Sequence, residues 1–252
     1  LKNNRKRPCD WHSRYILLSV IMILSMFVMS GCMYPNSDGQ QLKVSYRDSV
    51  ERIQNAIDHF QKEQGILPIL NAGESTPRYE KFRVDLDQLQ KKGYIDEIPS
   101  TAFEKGGSVY YLILNEETDP IVKVMDLVTV QKVNDVQRYV NGYKASHNGN
   151  LPKGSELHPG TSIYYVDLDR LGQPNLQLRS VYSGQDIPFI MNENGTVYAD
   201  YSFDIMQAID RESIQPKENE DLRIYLVNAS YFVPVKSLPY HWMNKEPVPV
   251  NE

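Results

Sequence analysis

Two blocks of one pattern constrain this chain more than anything else in it: FRVDLDQL at Phe82–Leu89 and YYVDLDRL at Tyr164–Leu171. Each has an aromatic, then Val-Asp-Leu-Asp, then a closing Leu. The flanks repeat in the same order. Upstream, Val50, Ile53, Ile57 and Phe60 have the spacing of Val133, Val136, Val140 and Tyr143, the rhythm of one buried helix face. After each helix comes a glycine and then Leu-Pro, as Gly65-Ile66-Leu67-Pro68 and Gly149-Asn150-Leu151-Pro152. Glycine stops a helix and proline prevents its resumption. Downstream, Leu112-Ile113-Leu114-Asn115-Glu116 matches Phe189-Ile190-Met191-Asn192-Glu193, an apolar run entering a polar turn. A second strand-like run leaves each turn and ends near Asp126 and Asp200, which predicts a β-hairpin. In the second copy the turn is Asn194-Gly195, a strong short hairpin signal.

A chain that repeats its signals in order is expected to fold one unit twice. The fold class is therefore α+β, a tandem repeat of modules, each a helix, a loop, a short helix and an antiparallel β-hairpin. The modules span 46–128 and 129–200. After Tyr201 the pattern begins again, with Phe203, Met206 and Ile209 at helical spacing and Leu222–Val227 and Tyr231–Val233 as a hairpin around Asn228. No VDLD block follows, so 201–252 reads as a truncated third module that caps the array, with an irregular, surface-running tail from Pro234 to Pro249.

The paired aspartates Asp85/Asp87 and Asp167/Asp169 are the obvious candidates for chemistry, since alternating carboxylates suit a hard cation. The structural reading is stronger. Asp85 sits where an N-cap belongs and Gln88 completes an Asp-x-x-Gln capping box, with Asp87 in the first turn of the helix. A calcium site needs six to eight oxygens, which two carboxylates do not supply. His59, His147, His158 and His241 are scattered without ligand spacing, and no Gly-x-Ser-x-Gly, Ser-x-x-Lys or phosphate loop occurs. The expectation is accordingly no catalytic residue, no metal and no cofactor. Tyr110-Tyr111 and Tyr164-Tyr165 could stack on sugars, but in a strand one member of each pair faces the core.

The other decisive stretch is Tyr15–Cys32, YILLSVIMILSMFVMSGC, preceded by Lys2, Arg5, Lys6, Arg7 and Arg14 against the single Asp10. Its apolar run is shorter than the roughly 20 residues that span a bilayer and fits the h-region of a secretory signal. The final Met29-Ser30-Gly31-Cys32 resembles the lipobox of bacterial lipoproteins, with Met29 where that motif usually carries Leu. The resemblance implies that residues 1–31 are a signal peptide cut before Cys32, and that the Cys32 thiol receives a diacylglyceryl group, with acyl chains such as palmitate. The protein would then be lipid-anchored at the extracytoplasmic face of the cell membrane, with 32–45 as a polar tether. Cleavage would remove five of the 27 Lys+Arg and one of the 32 Asp+Glu, leaving 22 against 31 and a net charge of −9. Such a balance argues against nucleic acid as a partner. Both cysteines, Cys9 and Cys32, lie in the signal and at the lipid site, so no disulfide framework is expected.

Within the first module, Val84–Ile95 with the following Ile98-Pro99 resembles the globular parts of pilin-like proteins, which likewise place a helix, a Leu-Pro and a short helix ending in Gly-Tyr. That resemblance implies an α+β shape and transfers no site residue. Repetition without a catalytic constellation points to a non-catalytic binding or scaffolding lipoprotein of the cell envelope, whose partner is an envelope protein or wall component. The alternative is a solute-binding lipoprotein of a transport system, which would need two βαβ-type lobes.

Overall fold

A computed structural model describes residues 38–251 of the chain, and side-chain surroundings from Tyr46 onward. Residues 1–31, read above as a signal peptide, and the lipid site Cys32 lie outside the described residues. The first helix, α1, runs Asp38–Gln64. Residues read above as tether are thus helical from Asp38. Gln40, Gln41, Leu42 and Lys43 are all good helix formers, and polarity alone does not stop a helix. From Val44 onward the chain forms one packed unit. Among the described residues, no helix is long and apolar enough to cross a membrane.

Module one continues from α1 through a loop with a 3-10 turn at Arg78–Glu80, then α2 (Leu86–Lys91) and a hairpin of β1 (Val109–Leu114) and β2 (Ile121–Asp126). Module two is α3 (Leu127–Ser146), β3 (Lys153–Glu156), β4 (Ile163–Val166), β5 (Leu178–Arg179), β6 (Asp186–Ile187), β7 (Phe189–Asn192) and β8 (Val197–Ala199). The chain closes with α4 (Ser202–Glu212), α5 (Arg223–Ala229), β9 (Tyr240–Met243) and β10 (Glu246–Pro249).

The duplication is written in hydrogen bonds. In module two, β3-β4-β7-β8 form one antiparallel sheet. Module one has the same order in reduced form, with Ile69 bridging Val84, Arg83 bridging Leu112, and β1 paired with β2. The counterparts in module two are Lys153 opposite Val166 and Tyr165 opposite Ile190, so Ile190 stands in the place of Leu112 and the strand is offset by one residue from the match of Leu112 with Phe189 read from the sequence. The loops agree atom for atom: the amides of Asp85 and Ile69 donate to the carbonyls of Pro68 and Leu67, and those of Asp167 and Lys153 to Pro152 and Leu151. Val50, Ile53, Ile57 and Phe60 on α1 are buried against Leu89, Tyr111 and Ile113. Val133, Val136 and Val140 on α3 are buried with Val166, Met191 and Val197, while Tyr143 is half-exposed and stacks on His147 at 3.8 Å.

A glutamine locks each helix to its own hairpin. Gln54 donates to the Pro120 carbonyl at 3.0 Å and accepts from the Val122 amide at 2.7 Å. Gln137 donates to the Gly195 carbonyl at 2.9 Å and accepts from the Val197 amide at 2.8 Å. Each side chain thereby satisfies one carbonyl and one amide at the hairpin edge, which sheet pairing would otherwise leave open.

Four expectations need correction. In module two the segment after Asp167 is a run of turns rather than a short helix, although Asp167 Oδ1 still accepts from the Arg170 amide at 3.0 Å. Gly172 and Pro174 follow closely and leave no length for a helix. In the third segment, Leu222–Val227 enters a helix, because Leu222, Tyr225 and Leu226 bury at helical spacing and Asp221 Oδ1 accepts from the Arg223 amide. An apolar run this short carries no periodicity that separates helix from strand. The buried face of α4 is Asp204, Ile205, Ala208 and Ile209, and Phe203 is exposed. Finally, the proline-dotted end is not irregular: β9 and β10 form a hairpin across Asn244-Lys245, both at positive φ, and Val235, Leu238, Tyr240 and Val248 are buried. Helix α4 packs on β10 as α3 packs on β8, so the third module keeps its hairpin, delayed by α5.

The delay leaves residues 230–237 as a strap over the other modules. Phe232 bridges Val124 of β2 in parallel, with Val124 N donating to Tyr231 O and Val233 N to Val124 O. Further on, the Ala199 amide at the end of β8 donates to Lys236 O. Beneath the strap Tyr79, Leu112, Leu114, Met125, Val227, Val233 and Val235 form a shared core between the modules.

Candidate functional site

Where the loop of module one, the helix and hairpin of module two and the strap converge, they enclose a cleft of about 330 Å³. Its floor and walls come from Arg78, Tyr79 and Glu80 of the 3-10 turn, Asn134 and Gln137 of α3, Thr196 and Tyr198 beside the β7-β8 turn, and Arg223, Lys236 and Ser237 of the third segment. Proline places the 3-10 turn, since Pro77 at φ −56° precedes it and has no amide to leave unpaired.

Charge in the cleft is organised around Tyr79, which is 3% exposed. Arg223 lies 5.0 Å from the ring centroid and Arg78 5.8 Å. Asp221 holds Arg223 by a fork, with Nε at 3.0 Å from Oδ1 and Nη2 at 2.8 Å from Oδ2, and Arg223 Nη1 donates to the Ser237 carbonyl at 3.0 Å. Lys236 Nζ pairs with Glu80 Oε2 at 3.1 Å, tying the strap to module one. The Tyr79 hydroxyl is sealed from solvent and meets no hydrogen-bond partner. Burial raises its pKa, opposed by the nearby Arg223 charge. It remains a neutral phenol at any physiological pH.

Below the cleft, the modules join through buried polar groups. Asp126 ends β2 and caps α3, accepting from the Thr129 amide at 2.8 Å and its hydroxyl at 2.7 Å. Asp200 stands at the corresponding place after β8, accepting from the Ser202 amide and the Tyr240 hydroxyl, both at 2.9 Å. Tyr201 donates to the Val235 carbonyl at 3.1 Å and Tyr182 to the Phe232 carbonyl at 3.3 Å, so one buried and one half-buried tyrosine fasten the strap. Asp204, 2% exposed, has neither oxygen in a well-formed hydrogen bond. Burial raises its pKa, and the Ser183 and Ser180 hydroxyls ease that cost without cancelling it.

The aspartates singled out from the sequence are positioned as structure. Asp85 Oδ1 accepts from the Gln88 amide at 2.9 Å, and Asp87 lies in the first turn of α2. The reciprocal arm of a capping box is not used, because the Asp85 amide is already bonded to Pro68. Asp167 pairs with Arg170 at 3.0 Å. His59 is exposed, His147 stacks on Tyr143, and His158 lies 3.4 Å from Glu246. Among the described residues, no three His, Cys, Asp or Glu side chains converge as metal ligands. Of the tyrosine pairs, Tyr111 is buried and hydrogen-bonded to Thr101 at 2.7 Å, while Tyr110 carries the Arg83 guanidinium 3.4 Å above its ring. The cleft residues gave no local signal, since they come from four separate segments. Only the repeat register marks Gln54 and Gln137 as equivalent.

Residues 46–126 match the model of a family described as the YphF family N-terminal domain. The match covers 81 of 252 residues and ends on Asp126, where β2 passes into α3, so it speaks for the first module. No curated protein and no solved structure matches the chain.

Proposed function

We propose that this chain is an extracytoplasmic lipoprotein, anchored in the cell membrane through a lipid on Cys32, with a non-catalytic binding or scaffolding role in the cell envelope. The observation that carries the binding role is the cleft: three parts of the chain that are distant in sequence surround one concavity and hold two of its cations, Arg223 and Lys236, in fixed ion pairs. Pre-ordered charge on a concave surface is what recognition of a polar ligand requires. The address rests on the signal-like stretch and the Met29-Ser30-Gly31-Cys32 motif. The partners in this reading are the membrane, through the Cys32 lipid, and an envelope protein or wall component.

The size of the cleft, at the lower end of small-molecule sites, favours one second reading, a solute-binding lipoprotein of a transport system. Against it, the strands of every sheet among the described residues pair antiparallel, unlike the parallel sheets of βαβ lobes. Metabolic labelling with a fatty acid tests the anchored reading. Wild-type protein should take up label and appear in the membrane fraction, and Cys32→Ala should take up none and accumulate as a longer precursor. Label-free wild-type protein, or equal labelling of Cys32→Ala, would refute the lipid anchor.

A further inference from the structure

Arg78 belongs to two depressions at once. On one side is the cleft; on the other is a hollow of about 380 Å³ between Thr76, Lys81, Phe82 and the turn Leu114–Glu116. Four cations line the pair, Arg78, Lys81, Arg223 and Lys236, against the two carboxylates Glu80 and Glu116, and with Asp221 behind Arg223 counted the net is +1. The surrounding molecule has the opposite sign: residues 38–251 hold 22 Lys+Arg and 30 Asp+Glu, a net of −8. A cationic concavity on an acidic body concentrates anions there, because field lines focus in the concavity while the rest of the surface repels them.

Two of the four cations are already neutralised, Arg223 by Asp221 and Lys236 by Glu80. The other two have no carboxylate partner among the described residues. Arg78 rests beside the Tyr79 ring and Lys81 lies 5.2 Å from the Phe82 ring. Arg78 and Arg223 lie 5.8 and 5.0 Å from the centroid of the same buried ring, and because Asp221 already holds Arg223, Arg78 is the cleft cation left without a carboxylate. A guanidinium fork suits a carboxylate or a phosphate equally, so the residues specify charge and geometry rather than one of these two groups.

We propose that the two hollows bind one extended anion, with at least two phosphate or carboxylate groups, laid across Arg78. One acidic group would sit in each hollow, with Arg78 between them, Lys81 on one side and the Arg223 and Lys236 pairs on the other. A single small anion can fill only one hollow and meets half of these charges. The proposal rests on the reading of the cleft as a binding site and adds the chemical class of its ligand.

Isothermal titration calorimetry of the full chain in detergent provides the test. The probes are tripolyphosphate, a tri-glutamate peptide, inorganic phosphate and the neutral maltotriose. At least one of the two extended anions should bind about tenfold or more tighter than inorganic phosphate, with an affinity that falls as salt rises. Which one binds identifies a phosphate or a carboxylate ligand. Arg78→Ala should weaken that binding about tenfold and Lys81→Ala by several-fold, with melting temperatures changed by no more than a degree or two, because each side chain makes only a ring contact and no ion pair among the described residues. Arg138→Ala, on the exposed face of α3, should change nothing. The proposal is overturned if neither extended anion binds, or if their binding is indifferent to both Arg78→Ala and Lys81→Ala. Binding of maltotriose alone would overturn the anionic ligand and leave the cleft as a binding site intact.

Discussion

Gln137→Ala removes both hydrogen bonds from helix to hairpin in one substitution, along with an exposed bond to Asn141 on the same helix. The Val197 amide and the Gly195 carbonyl, at 2.8 and 2.9 Å from the side chain, lose their partner at a position only partly open to water. A protein hydrogen bond contributes about 0.5–1.5 kcal/mol net, so the pair is worth about 1–3 kcal/mol. For a domain of this size each kcal/mol lowers the melting temperature by about 2–4 °C. Gln137→Glu separates the two halves of the interaction. Its carboxylate can still accept from Val197 but faces the Gly195 carbonyl oxygen with no proton to donate. Its loss of stability should therefore shrink at acid pH, where the protonated carboxyl donates again. Gln131→Ala is the control, since Gln131 is exposed and bonds only Asp135 on its own helix. Urea denaturation should put Gln137→Ala at least 1 kcal/mol below Gln131→Ala, and hydrogen exchange should show faster exchange of the Val197 amide. Equal stabilities, or an unchanged Val197 exchange rate, would falsify the idea that the glutamine locks helix to hairpin. Gln54→Ala should repeat the result at Val122 in module one.

Other substitutions test other parts of the account. Gly195 has φ +87°, and a Cβ there would lie 2.6 Å from Leu151 Cδ2, so Gly195→Ala should cost about 1 kcal/mol or more in denaturant titrations. Asp85→Asn should be tolerated and Asp85→Ala should cost about 0.5–2 kcal/mol, with no calcium-dependent shift in calorimetry of either; a calcium stabilisation lost in Asp85→Asn would revive the cation reading. Burial raises the Asp204 pKa in the folded state, so the native protein holds this proton more tightly than the unfolded chain does. Stability from this group is then whole below the ordinary carboxyl value of about 3.9 and declines as pH rises through the raised folded value. Asp204→Asn should flatten that decline and raise the melting temperature at pH 7 relative to pH 4; a pH profile identical to wild type would contradict it.

The internal repeat made most of the architecture of the first two modules legible, because its blocks fix helix ends, caps and hairpins by local physics, although the second VDLD block caps turns and not a helix. Gly65 and Gly149 both adopt positive φ at the helix ends, and Asp85 and Asp167 both accept from the amide three residues on. Legibility failed where tertiary packing decides between local options. Leu222–Val227 can be strand or helix by pattern, and becomes a helix because Tyr225 and Leu226 reach the core of module two. The proline-rich end folds as a hairpin because Pro247 and Pro249 sit in β10, whose single partner is β9. The cleft was invisible for another reason. Tyr79, Asn134, Thr196 and Lys236 are ordinary residues in four different segments, and only the strap brings them together. The opposite holds for Cys32, whose reading as a lipid site rests on its neighbours in sequence alone and which lies outside the described residues.

The most direct test of the account is a hydrogen-exchange footprint. Full-length, membrane-extracted protein would be compared with and without the soluble material released from its own cell envelope by wall digestion. The account predicts protection concentrated in the peptides that cover 76–82, 134–137, 196–198 and 234–237, and lost when Thr196→Trp fills the cleft. Protection elsewhere with these four segments unchanged, or protection that survives Thr196→Trp, would contradict the cleft as the binding site.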